Sequence, residues 1–359
     1  MTDNRNSISA RKDRWSGFYA MDGRKRFMVA VEIDGENDSQ PQLWPEKKRE
    51  RIDWVLRKYD RLYERAHWLG DDTVPYLDMI TGTEIFAEAF GCAVHRPEDS
   101  MPFARPLVHS ASEAARLRVP DLDGSTLSLL FEIADEARSR TGADAAVKLP
   151  DIQSPMDIAA LIWDKNDFYA AMIEEPEAVR ELAAKVASLL TAFLDRWFAR
   201  YGKDFVAHYP YYYMPGGLSL SEDEIGAVSP ALFREFFLPE LAMLSERYGG
   251  LGMHCCANSR HQWDNFKLLP GLRLINLCQP GAMLNEAVRF FAGHTAQEHI
   301  GTPDGRQYFG GRPVWEWPAA APDNVHMVLT AAARKKAEAV EICQRLNEAR
   351  TMEQVKYDR

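Results

Sequence analysis

Leu251-Gly-Met-His-Cys-Cys256, then Ser259 to Leu269 with helical spacing, then Leu272-Arg-Leu-Ile-Asn-Leu-Cys278, reads as a strand, a helix and a second strand. Two strands joined by a helix must run parallel. Side chains on a strand alternate faces, so His254 and Cys256 share one face while Cys255 takes the other. An imidazole and a thiol two residues apart on one face can bind the same metal ion, and zinc accepts both ligand types. Cys278 closes the next apolar run, so three soft donors fall at the ends of two successive strands. The plainer alternative is structural, since cysteine is among the most buried residue types.

The same alternation extends along the chain. Arg26 to Ile33, Thr73 to Met79, Ala145 to Leu149 and Phe205 to Tyr209 read as strands. Glu46 to Leu69, Thr83 to Phe90, Leu127 to Arg140, Met156 to Trp163 and Pro176 to Tyr201 read as helices, as does the stretch opening at Ser229-Pro230 and ended by Gly249-Gly250. Residues 95–124 hold four prolines and read as an irregular excursion. No Gly-x-Gly-x-x-Gly follows any strand, so a (β/α)8 barrel is expected rather than a dinucleotide-binding sheet. The expected division is an N-terminal extension, residues 1–70, packed on a barrel over 71–359.

Composition narrows the partners. The chain has 359 residues, 46% hydrophobic and 27% charged, enough for one large core. A net charge of −10 and no Lys/Arg cluster argue against nucleic acid. No run approaches the roughly 18 apolar residues of a membrane span, and the N-terminus lacks the apolar core of a signal peptide. A cytoplasmic protein acting on a small molecule is the expectation. Five cysteines, an odd number, make a poor disulfide framework; Cys92 and Cys343 read as structural.

Further candidates follow strand ends, where barrel chemistry sits. His208 ends a strand and would face the mouth, or else is a satisfied core histidine. Asp151 and Gln153 can hydrogen-bond a ligand, or Asp151 can cap the next helix. Tyr211 belongs to a run of four tyrosines, Tyr209 to Tyr213, that suits a flat ligand or simply packs on its neighbours. Asp223 can act as acid or base or decorate its turn. Trp315 and Trp317 are expected near the last strand, with one of them lining the mouth.

Four stretches resemble the uroporphyrinogen decarboxylase superfamily: Asp151-Ile-Gln-Ser-Pro-Met-Asp157, Gly216 to Glu224 with Val228-Ser-Pro-Ala-Leu-Phe233, His254-Cys-Cys-Ala-Asn258, and Ala321-Pro-Asp-Asn-Val325. Their order and spacing cover roughly residues 70 to 335. The resemblance implies a TIM-type barrel and one of two chemistries. The first is decarboxylation, for which Asp78 resembles the catalytic aspartate. The family's N-terminal Arg-Gln-Ala-Gly-Arg motif is replaced by Ala30-Val-Glu-Ile-Asp-Gly35, so a porphyrin polycarboxylate lacks its arginines. The second is zinc-dependent methyl transfer between a thiol and a corrinoid carried by a partner protein. That branch places its third zinc ligand in the stretch here reading Gly311 to Trp317, which has no cysteine, so Cys278 or Glu316 would stand in. The methyltransferase branch is the closer resemblance. A lyase acting on a smaller acid and a ligand-binding barrel without catalysis are the alternatives.

Overall fold

The structure is a computed structural model describing residues 7–34, 39–97, 100–207, 209, 212–301 and 309–357, the last three as backbone. Its strands are β1 (Arg26–Ile33), β2 (Val94–His95), β3 (Phe103–Ala104), β4 (Leu218–Ser221), β5 (Leu251–Cys255), β6 (Leu272–Gln279), β7 (Ala296–Gly301) and β8 (His326–Ala333). Six form one parallel sheet in the order β1-β8-β7-β6-β5-β4, while β2 and β3 make a small antiparallel pair. Two extended segments link its edges. Asp72 N donates to Val29 O on β1, Leu77 bridges Val147, and Gln153 bridges Ser221 on β4. Around the ring this makes eight strand segments, the architecture of a (β/α)8 barrel.

The strand sequences are apolar on both faces because both are buried. Met28, Ala30, Val74, Tyr76, Ala146, Leu274, Ala296 and Val328 pack together inside the ring. Phe27, Val29, Val31, Leu77, Val147, Ile275 and Leu329 belong to the larger core beneath the helices. The helix Pro176–Tyr201, expected over those same residues, buries Leu182, Val186, Leu190, Phe193 and Trp197 on one stripe.

Three expectations are corrected. Residues 26–33, assigned to the extension, form β1 and pair with β8 over their whole length, so the barrel begins there and not at residue 71. Leu218–Ser221, not among the expected strands, is a strand; at four residues it is too short to show a pattern. Trp315 lies beside the last strand, but in a turn and not at a strand end. Val314–Glu316 is a 3₁₀ turn, Trp317–Ala320 a short helix, and β8 starts only after the Ala321–Val325 turn.

The helix Ile8–Phe18 closes the amino-terminal end of the ring, where buried Trp15 and Phe18 join the inner cluster. Arg11 anchors it from a fully buried position. Its guanidinium donates to Asp71 Oδ1 at 2.9 Å and to the carbonyls of Thr73, Ala66 and Leu69 at 2.7, 2.9 and 2.6 Å. Removing one partner of such a pair strands the other charge away from water, which costs about 3–5 kcal/mol. Arg11→Ala is therefore expected to lower unfolding free energy by about that amount, read from the midpoint of urea denaturation at unchanged slope.

Candidate active site

The carboxyl ends of the strands gather the polar residues. His254 lies on β5, opposite Asn276 on β6, which lies opposite Glu298 on β7. One row of side chains thus crosses three strands. His254 Nδ1 bonds to Asn276 Oδ1. Asn276 Nδ2 donates to the Glu298 backbone oxygen at 2.8 Å and to its carboxylate. With its amide nitrogen committed to Glu298, Asn276 presents only an acceptor to His254. The imidazole proton must then sit on Nδ1, leaving Nε2 as the acceptor. That Nε2 is 2.9 Å from Cys256 Sγ.

Cys256 and Cys278 lie side by side, close enough for each to act on the other's thiol. Cys256 N donates to Asp223 Oδ1 at 2.5 Å, and Gln279 Nε2 donates to the carbonyls of Cys256 and Ala257 at 2.9 and 2.7 Å. Cys255 points the other way and is fully buried in the core under the helices. The Tyr209 ring stacks on His254, with centroids 5.5 Å apart and 20° between planes.

Burial lowers the pKa of His254, partly offset by the Asn276 bond and Asp223, so the imidazole is neutral near pH 7. Burial, then the nearby Asp223, pushes the Cys256 thiol up to about 12; Cys278 is raised by burial too. Asp151 is pushed up to about 7 by burial, with Lys148 pulling it down and Asp223 and Glu84 pushing it further up. A neutral imidazole, two protonated thiols and a carboxyl poised near neutrality face one another.

The structure brings His254, Cys256, Cys278, Asp151 and Asp223 together. Gln153 sits below, its amide 3.4 Å from Asp157, whose carboxylate accepts from the backbone N–H groups of Asp223 and Glu224 at 2.6 and 3.0 Å. Asp157 thus holds the loop that carries Asp223. Asp78 stands apart and is ion-paired: Lys58 Nζ is 2.6 Å and Lys148 Nζ 3.8 Å away. Burial would raise its pKa, but Lys58 and Lys148 together hold it below the ordinary value. Trp315 does not join the cluster; it packs on the core under the helices with the Arg345 guanidinium 4.9 Å from its ring, and Glu316 is exposed. His208 and Tyr211 lie outside the described residues.

Asn276, Glu298 and Tyr209 were not among the sequence candidates. Asn276 and Glu298 carry a usable signal, a polar residue amid apolar strand positions. Tyr209 was visible only as one of four tyrosines.

Among the described residues, no three His, Cys, Asp or Glu side chains stand in coordinating geometry. The donor chemistry nevertheless fits zinc: a neutral imidazole held through its second nitrogen, and two neighbouring thiols.

The uroporphyrinogen decarboxylase (URO-D) family model matches residues 71–277, more than half of the chain, and the protein belongs to that family. No curated protein matches it significantly in sequence. A methyltransferase from Methanosarcina mazei shares the fold, with a TM-score of 0.62 and 14% identity, over 96% of this chain and 98% of that one.

The hydrogen-bond row makes a spectroscopic prediction. Nitrogen-15 shifts of His254 should report the Nδ1–H tautomer through neutral pH, and Asn276→Ala should return it to the Nε2–H-rich mixture of a free imidazole.

Proposed function

We propose that this barrel is a zinc-dependent methyltransferase. It would move a methyl group to a thiol, either from a methyl-corrinoid held by a partner protein or from a methylated small molecule. One observation carries the reading: His254 Nε2 lies 2.9 Å from Cys256, and Cys278 stands beside Cys256, at the carboxyl ends of adjacent strands. The methyltransferase that shares the fold supports it.

His254, Cys256 and Cys278 would hold the metal. Zinc supplies one service when bound, lowering the pKa of a thiol so that the thiolate, the competent nucleophile, exists at neutral pH. The chain's own residues do the rest. Asn276 and Glu298 keep Nε2 unprotonated, and Asp223 fixes the backbone of Cys256. Asp151, poised near pH 7, receives the proton of the acceptor thiol. Tyr209 covers the imidazole and limits access of water. As the sulfur–carbon bond forms, the bond from donor to methyl breaks and its electron pair leaves with the donor. The decarboxylase reading finds less support, because both cations beside Asp78 already pair with it.

Elemental analysis of the purified protein should find about one zinc per chain. Cys256→Ser should lose the metal and methyl transfer together while retaining its circular dichroism, since Cys256 lies just past the end of β5 and outside the hydrophobic core. Full zinc content or full activity in that variant would overturn the proposal.

The raised thiols set the pH dependence. Metal binding displaces a proton from each thiol, whereas His254 is already neutral and gives up none. Zinc affinity should thus rise by about 100-fold per pH unit near neutrality, two protons' worth. Calorimetric titrations at several pH values, in buffers of different ionisation enthalpy, would count the protons released.

A further inference from the structure

A second cavity adjoins the cluster on the side of the early strands, walled by Trp44, Thr81, Gly82, Glu84, Arg96 and Pro102, with a volume of about 80 Å³. Thr81 Oγ1 donates to the Asp151 backbone oxygen at 3.3 Å, so one wall is continuous with the site described above. Two polar atoms in it have no hydrogen-bond partner among the described residues. Glu84 is 4% exposed, yet its Oε2 accepts no hydrogen bond; Trp44 Nε1 is likewise buried and donates to nothing. Buried polar groups are rarely left unmet, and such pairs point to a missing ligand. Arg96 is already engaged by Glu88.

The wall beside Glu84 is shaped to leave that carboxyl in place. A Cβ on Gly82 would lie 2.1 Å from Glu84 Oε2 and 3.1 Å from Pro102 Cγ, so a side chain there would displace the carboxyl. Burial, with Glu88 adding to it, raises Glu84 to about 7. Its Oε2 can accept an N–H in either protonation state.

The unmet atoms select among ligands. A carboxylate would meet Glu84 and Glu88. An ammonium has no acceptor for the indole N–H. A carboxamide carries both complements, an oxygen to accept from the Trp44 Nε1–H and a nitrogen to donate to Glu84 Oε2. We infer that this cavity is a binding site for a carboxamide group, carried by a small ligand or by the far end of the substrate. The inference is independent of the methyl-transfer reading and does not need metal.

Acetamide is the probe. In two-dimensional nitrogen–proton spectra of the full chain, it should move the Trp44 indole and Gly82 amide resonances saturably. Acetate and methylammonium should not. Trp44→Phe keeps the ring but removes the donor, and Glu84→Ala removes the acceptor. Each should weaken acetamide binding, followed at Gly82, by about tenfold or more. Because the two variants alter different walls, a folding defect in one leaves the other as the test. The inference is overturned by the absence of a saturable shift, by equal binding of acetate or methylammonium, or by wild-type affinity in both variants.

Discussion

The register of three parallel strands is the constraint on which the site depends. The ladder pairs His254 with Asn276 and Asn276 with Glu298, so a single row crosses β5, β6 and β7. A slip of one residue would turn every one of these side chains to the other face and bring Cys255 inward in place of Cys256. The apolar neighbours forbid that slip. Met253, Ile275 and Leu277 are fully buried in the core beneath the helices and could not be exchanged for an asparagine or a histidine. Packing of the hydrophobic layer thereby determines the tautomer of one imidazole.

Buried charge is placed away from that row, where it holds elements together. Asp71 and Asp72 gather Arg11, Arg14 and Arg350, and Asp72 also accepts from the backbone of Val29. That knot ties the first helix, the first strand and the last helix to one turn. Higher in the barrel, Lys58 and Lys148 bracket Asp78 and keep it a carboxylate. Lys148 also acts on Asp151, the group left poised near neutrality at the mouth. The interior therefore grades from paired charges at one level to proton-exchanging groups at the next.

At the mouth, among the described residues, it is carboxyls that act on the Cys256 thiol. Asp223 and Asp151 both act to raise the Cys256 thiol, and burial raises it most. Such a thiol is a poor nucleophile in the metal-free chain. The same acidic surroundings would favour a bound cation, which is the electrostatic logic of the metal reading. The loop bearing Asp223 is held by Asp157 through two backbone N–H groups, so its carboxylate is fixed from behind rather than by the site.

Much of the barrel was legible in the chain because it rests on local pattern. β1, the helix Pro176–Tyr201 and the strands into His254 and Cys278 follow from runs of apolar residues and their helical or alternating spacing. The alternation of faces on β5 likewise separates Cys255 from His254 and Cys256. What the sequence could not convey is which distant positions become neighbours. β1 looked like part of an extension because its partner, β8, lies some three hundred residues away. Trp315 looked like a mouth residue because nothing local reveals that Arg345 and the last helix cover it. Asn276 and Glu298 became functional candidates only through ladder register. Residue type and spacing determine the elements and the chemical repertoire; cross-strand pairing and burial decide which groups meet and which protons they keep.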